Sequence, residues 1–242
     1  MASVPRLRVF AGPNGSGKST LKDVLPADWL GVYVNADDIE RTLRLDGFLR
    51  LSAYAIQTTQ QELVDFLSRS TLLNSVGLKG DVGRMYLEND CIVLRNLTVN
   101  SYHASVLADF IRHQLLRSGL TMTFETVMSS RDKIEFIRKA QKVGYRTYLY
   151  FVATEDPLIN ISRVSHRVKT GGHDVPSDKV IARYARSLDL LFDAISCTDR
   201  AYVFDNSGDQ RVWIAEVTDG LVLEAKTDAM PHWFMHALWD RF

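Results

Sequence analysis

Runs of apolar residues along this chain alternate between strand-like and helix-like spacing. LRVF, ending at Phe10, is short and β-prone, and KSTLKDVL, beginning at Lys18, can start a helix that stops at Pro26. GVYVNADDIER over 31–41 is apolar through Val34, turns polar at Asn35, Asp37 and Asp38, and predicts a strand followed by a helix from about Ile39. LTMTFETVMSSRDKIEFIRKAQKVGY predicts a strand, then a helix capped by Ser129 or Ser130 and stopped by Gly144. Ile134, Ile137 and Ala140 would face a sheet. YRTYLYFVATEDP is almost continuously apolar, as a parallel strand buried on both faces should be. Asp156 is placed to cap the helix after it, with Pro157 in the first turn. RAYVFDNSG predicts a further strand with a turn over 205–208, and RVWIAEVTDGLVLEA a hairpin turning at Asp219-Gly220. The last residues, PHWFMHALWDRF, predict an aromatic tail packed on the body. Strand–helix alternation of this kind predicts an α/β fold with a mainly parallel sheet.

Two stretches depart from the alternation. Over about 45–118 the pattern is mostly helical and too long for an ordinary connection. It predicts one long helix over 48–77 ended by Gly77, then a polar loop, LKGDVGRMYLEND, and a short strand in CIVLRNLTV. An amphipathic helix follows, whose stripe of Val106, Leu107, Phe110, Ile111 and Leu115 would pack on the sheet and whose stop is Gly119. The second stretch, about 160–187, predicts two helices joined at Gly171-Gly172, the second capped by Ser177. It holds Arg163, Arg167, Lys169, Lys179, Arg183 and Arg186 against Asp174 and Asp178. Arg163 and Arg167 are four residues apart and share a helical face. The whole, 1–242, reads as one domain with a helical insertion and an arginine-bearing lid.

The chemistry enters with FAGPNGSGKST. Gly12, Pro13, Asn14, Gly15, Ser16, Gly17, Lys18 and Ser19 satisfy G-x-x-x-x-G-K-[ST] in full, and Thr20 extends it. Glycines let backbone N–H groups approach phosphate oxygens, the lysine reaches the β- and γ-phosphates, and the serine offers an oxygen to Mg²⁺. The strand–loop–helix context is the one the motif requires, so a three-layer P-loop fold binding ATP and Mg²⁺ is expected. The reaction must come from elsewhere. Asp37 and Asp38 follow a strand end, where open α/β sheets place their sites. On the acceptor's side, one carboxylate would take a proton or hold magnesium through water, Asp37 being favoured, and the other would cap the helix. Glu125 ends another strand. Lid arginines would neutralise charge on a transferring phosphoryl group. Asn206 would line the adenine side, and His173 would touch the acceptor.

Composition narrows the partners. Lys+Arg and Asp+Glu balance at 29 each, so no bulk positive field recruits long nucleic acid or an anionic membrane. Cys91 and Cys197 make no disulfide framework or metal spacing. No apolar run approaches a membrane span, and a cytoplasmic location is expected.

In order and spacing, GPNGSGKST, NADDIER, FETVMS, GYRTYLYFVATEDP, RVSHRVKTGGHDVPSDKVIARYARSL and VFDNSG together resemble the zeta toxin family of P-loop kinases. The resemblance spans roughly 5–45 and 119–210. It implies transfer of the ATP γ-phosphate to a hydroxyl, which in well-known members is the 3′-hydroxyl of UDP-N-acetylglucosamine, and an antitoxin partner that blocks the nucleotide site. Lys18 and Ser19 match the phosphate lysine and the magnesium ligand. Asp37 falls where the family places the proton acceptor, Glu125 matches a glutamate of the acceptor pocket, and Arg163 and Arg167 match the lid arginines that contact ATP. Ser129 stands where the toxins carry an arginine, the lid is shorter, and 45–118 differs from their sugar-nucleotide pocket. Two other readings remain open. One is a kinase acting on a nucleotide, a dinucleotide or a polynucleotide end; the other is an ATP-binding regulatory module without small-molecule turnover.

Overall fold

The computed structural model describes residues 4–23, 25–170 and 174–242; the expected lid turn Gly171-Gly172 and the candidate contact His173 lie outside the described residues. Strands among them are β1 (Arg6–Ala11), β2 (Val32–Val34), β3 (Phe48–Arg50), β4 (Met85–Glu88), β5 (Cys91–Leu94), β6 (Met122–Thr126), β7 (Arg146–Ala153), β8 (Arg200–Asp205), β9 (Val212–Thr218) and β10 (Val222–Ala225). The α-helices are α1 (Ala27–Leu30), α2 (Ala36–Asp46), α3 (Gln60–Ser68), α4 (Thr71–Ser75), α5 (Ser101–Arg117), α6 (Asp132–Lys142), α7 (Pro157–Lys169), α8 (Ser177–Asp189), α9 (Leu191–Ile195) and α10 (His232–Ala237). Contacts divide the chain into two compact units, Met1–Leu30 with Thr123–Phe242, and Gly31–Met122.

In the first unit six strands lie in the order β10-β9-β8-β7-β1-β6. β1 pairs β7 in parallel, Arg6 opposite Arg146 through Ala11 opposite Phe151, and β7 pairs β8 in parallel. β8–β9 and β9–β10 are antiparallel. The sheet is thus mostly parallel with flanking helices, as the alternating pattern predicts. Phe10, Phe124, Phe151 and Phe234 are fully buried; Phe10 meets Tyr150 edge-on at 5.4 Å and Phe124 meets Phe136 at 5.7 Å. Burying each such ring contributes roughly 1.5–3 kcal/mol. Ile134, Ile137 and Ala140 form the buried face of α6.

Caps explain where helices start, and several differ from expectation. Asp156 caps α7 by accepting from the Leu158 N–H, with Pro157 first in the helix. α6 instead begins after Arg131 without a side-chain cap, because the Ser130 hydroxyl turns to the Asp132 carboxylate. Ser177 is the first residue of α8 rather than its cap, which is Pro176. After the glycine loop, KSTLKD forms a six-residue 3₁₀ helix, not an α-helix. Thr20 Oγ1 takes the Gly17 carbonyl, which an α-helix would need as acceptor. The hairpin turn at Asp219-Gly220 is as expected, both residues at positive φ of 52° and 65°.

The second unit corrects the single helix expected over 48–77. Phe48–Arg50 pairs with β5 as a strand, and a 3₁₀ turn follows over Leu51–Tyr54, ended by Ala55 at φ 53°. Thr59 and Glu62 then form a reciprocal capping box that starts α3, and Ser70 caps α4. The expected polar loop contains β4, joined to β5 by Asn89-Asp90 at φ 46° and 65°, so β3-β5-β4 is a small antiparallel sheet. The α5 stripe is buried as expected, against β2 and, more extensively, against α2, α3 and α4; Phe110 meets Phe66 at 5.4 Å.

Asp199 ties β7 to β8: its Oδ2 accepts from the Thr147 N–H at 2.7 Å and the Thr147 hydroxyl at 2.6 Å. Burial alone would raise its carboxyl pKa, but the hydrogen bonds from Thr147, Gln141 and its own backbone together outweigh it and hold it below the usual range. A depressed folded-state pKa gives stability that is complete above the unfolded value of about 4 and lost as pH falls through the folded value. Asp199→Asn should therefore lower the urea midpoint at pH 7 by the equivalent of about 1–2 kcal/mol. The deficit should shrink below pH 4, and a deficit that does not change with pH contradicts the assignment.

Candidate functional site

Within the first unit, the glycine loop crosses the carboxyl end of the parallel strands. Gly12 has φ 139°, and a Cβ there would sit 2.0 Å from the Val152 carbonyl oxygen, so the chain can leave β1 this close to β7 only as glycine. Gly17, at φ 94°, faces the Asn206 amide, which a Cβ would meet at 2.4 Å. The carbonyls of the loop are held from behind. Asn160 of α7 donates its Nδ2 to the Asn14 carbonyl at 2.6 Å, and Asn206 donates its Nδ2 to the Ser16 carbonyl at 2.8 Å. The amides of Gly15 and Gly17 donate to no partner among the described residues. The Ser16 hydroxyl is fully buried and also without one.

The two asparagines are themselves fixed. Asn160 is fully buried and its Oδ1 accepts from Thr154 Oγ1. The Thr154 carbonyl accepts from Tyr184 of α8 at 2.6 Å. Burial, followed by the nearby Glu155, Asp156 and Asp205 charges, drives the Tyr184 phenol well above the ordinary range, so it stays a donor. Arg163 Nη1 donates to the Asn206 carbonyl at 2.7 Å, and Nη2 reaches the Gly208 carbonyl at 3.5 Å. Asp205, nearly buried, accepts from the Ser207 N–H, the Ser207 hydroxyl and Trp233 Nε1 at 2.8–2.9 Å. The turn after β8 is therefore rigid, and Asn206 is directed at the loop backbone rather than standing as a plain turn residue.

At the front of the loop, Lys18 Nζ donates to the Gly12 and Pro13 carbonyls, each at 2.8 Å. Ser19 Oγ donates to Glu125 Oε2 at 3.1 Å. This brings the residue matched to the metal together with the one matched to the acceptor pocket. A hydroxyl and a carboxylate side by side are hard oxygen donors, and Mg²⁺ is commonly held by one or two such groups with waters and phosphates completing its shell. The pair fits that ion. No group of three or more His, Cys, Asp or Glu able to hold a metal occurs among the described residues. Thr20 Oγ1 accepts from Arg211 Nη1 at 2.9 Å. Arg167 lies one turn beyond Arg163 on α7, half-buried. α7 and α8 pack through Val164, Val175 and Val180 with Ile161 and Val168. Ser129 lies in the loop after β6, and that loop is pinned where Ser187 of α8 donates to the Val127 carbonyl at 2.7 Å.

In the second unit, Asp37 and Asp38 open α2 directly after β2. Neither is the cap: Asn35 is, accepting from the Asp37 N–H at 2.8 Å. Asp38 instead pairs with Arg41 at 2.7 Å. Tyr54, from the 3₁₀ turn that packs against β2, is pushed up to about 12 by burial and then by the Asp38 charge, so it stays protonated over the working range.

Sequence reasoning missed Asn160, Tyr184, Arg211 and Tyr54. Asn160 had a local signal, a polar residue four positions after a capping Asp on an otherwise apolar helix face. The others are ordinary residues of their elements, made relevant only by contacts distant in sequence.

The model of the zeta toxin family matches residues 84–218, more than half of the chain; the glycine loop precedes the match. A curated protein of Haemophilus influenzae described as uncharacterized is 28% identical over 72 residues, 30% of this chain and 51% of its own length. Among solved structures, the AvrRxo1-ORF1:-ORF2 complex with ATP is similar at a TM-score of 0.53 and 16% identity, over 93% of this chain and 61% of that one. The PezAT chromosomal toxin–antitoxin system of Streptococcus pneumoniae gives a TM-score of 0.53 at 13% identity, over the whole of this chain and 79% of that one. The chain thus spans about half the length of the curated relative and under two thirds of the AvrRxo1 chain. No helix among the described residues is long and apolar enough to cross a membrane. With the family match reaching from β4 through β9, the chain belongs to the zeta toxin family.

Proposed function

We propose that this protein is an ATP-dependent phosphotransferase that moves the γ-phosphate to a hydroxyl of a small molecule. The observation that carries the reading is the clamped loop. Asn160 and Asn206 turn two carbonyls away, and the Gly15 and Gly17 amides and the Ser16 hydroxyl remain for phosphate oxygens. Lys18 exchanges its two carbonyl partners for the β- and γ-phosphates. Ser19 and Glu125 are the residues to hold Mg²⁺, which when bound neutralises phosphate charge. Arg163 serves as a strut behind the nucleotide turn, leaving Arg167 as the lid arginine for the transferring group. Asp37 accepts the proton of the acceptor hydroxyl, a role supported by the resemblance of NADDIER to the family's proton-acceptor segment and by its place after a strand end. Catalysis of this kind is positioning and charge stabilisation, and no covalent intermediate is needed.

The neighbouring complexes support an antitoxin as the protein partner, and the family supports a UDP-N-acetyl sugar as the first acceptor to try. Asp38, Ser129 and Tyr54 are the residues proposed to shape the acceptor's side.

Incubation with γ-labelled ATP, Mg²⁺ and a bacterial metabolite extract should label a small molecule, and chelating the Mg²⁺ should abolish labelling. Asp37→Asn should keep ATP affinity within about twofold and lower transfer at least about a hundredfold. Loss of ATP binding together with transfer would move Asp37 into the nucleotide site. Asn160→Ala leaves the Asn14 carbonyl without its donor and should raise the KM for ATP about tenfold with a smaller change in kcat. An unchanged KM would remove the clamp from the account.

A further inference from the structure

Arg211 is unexplained by the reading so far. It stands just before β9, half-buried, at the far end of the connection that carries Asn206. Its guanidinium donates to Thr20 Oγ1 at 2.9 Å and lies 5.5 Å from the centroid of the Phe204 ring. Thr20 Oγ1 passes the bond on to the Gly17 carbonyl at 2.9 Å. The connection therefore grips the loop at two points, Asn206 at Ser16 and Arg211 at Thr20.

The partners of this cation are a neutral hydroxyl and an aromatic face; among the described residues it forms no ion pair. Burial pulls its pKa below the ordinary arginine range, and the more distant Asp23 charge only partly offsets this. Taking a guanidinium out of water without a close anion is unfavourable. A threonine hydroxyl would be served as well by a neutral donor. A planar fork of donors at this place is suited to an oxyanion, and the oxyanion this loop is built for is a phosphate.

We infer that Arg211 is a nucleotide-binding residue that contacts the phosphates shared by ADP and ATP, with Thr20 holding its fork in place. Lys18, not Arg211, is the residue that reaches the terminal phosphate. Arg211 therefore affects ADP and ATP alike and AMP least. The inference rests on the nucleotide reading proposed above, and the test separates the two.

The experiment is titration of wild type, Arg211→Ala, Arg211→Gln and Arg211→Lys with ADP, ATP and AMP, alongside thermal melts and steady-state kinetics. Arg211→Ala and Arg211→Gln should weaken ADP and ATP about tenfold each, the loss expected for a charge-assisted hydrogen bond. Arg211→Lys should recover part of that loss. The KM for ATP should rise more than kcat falls, and the melting temperature should stay near wild type. Wild type binding ADP while Arg211→Gln binds it equally well overturns the assignment alone. Equal loss in Arg211→Gln and Arg211→Lys, accompanied by a matching fall in melting temperature, also overturns it by making Arg211 a structural brace. A wild type that binds no nucleotide overturns both this inference and the reading beneath it.

Discussion

A phosphate loop works only if its amides face one way, and that requires its carbonyls to be held facing the other. In the first unit the contacts gathered behind the glycine loop meet this constraint. Peptide units 14 and 16 are fixed by asparagine side chains 146 and 190 residues further along the chain. Behind the asparagines stand Thr154 and Tyr184 on one side, and Arg163, Asp205 and Trp233 on the other. The elements making these contacts, α7, α8, the turn after β8 and α10, share no local sequence pattern. They share the carboxyl end of a parallel sheet, where three connections converge on the loop.

That convergence also gives α7 and α8 a double role. As an arginine-bearing lid they are proposed to close over a triphosphate. As scaffolding they already hold the glycine loop through Asn160 and the β6 loop through Ser187. Movement of the pair would then alter the loop itself. The apolar seam of Val164, Val175 and Val180 is what would let them move together.

The fold of the first unit was legible because its signals are local. Alternation gave the strands, Asp156-Pro157 gave the start of α7, and Asp219-Gly220 gave the hairpin. The second unit was read less well for equally local reasons. Thr59 with Glu62 and Ser70 are start signals inside a stretch whose apolar spacing predicts one helix, and Asn89-Asp90 is a hairpin turn inside a stretch whose polarity predicts a loop. The motif identified Lys18 and Ser19, but not the meeting of Ser19 with Glu125 across 106 residues. The sequence places Asn206 in the turn after a strand but not what its amide touches, because a side chain's direction is decided by its neighbours. Here Gly17, lacking a Cβ, admits the Asn206 amide to the loop backbone.

The central claim is that the loop amides are reserved for a nucleotide's phosphates. Hydrogen–deuterium exchange on the intact protein, with and without Mg²⁺ and ATP, tests it at the bonds themselves. The account predicts that nucleotide slows exchange in 14–20 and in the 206–211 connection, while β9 and β10 are unaffected. Exchange in 14–20 that is indifferent to saturating nucleotide would contradict it.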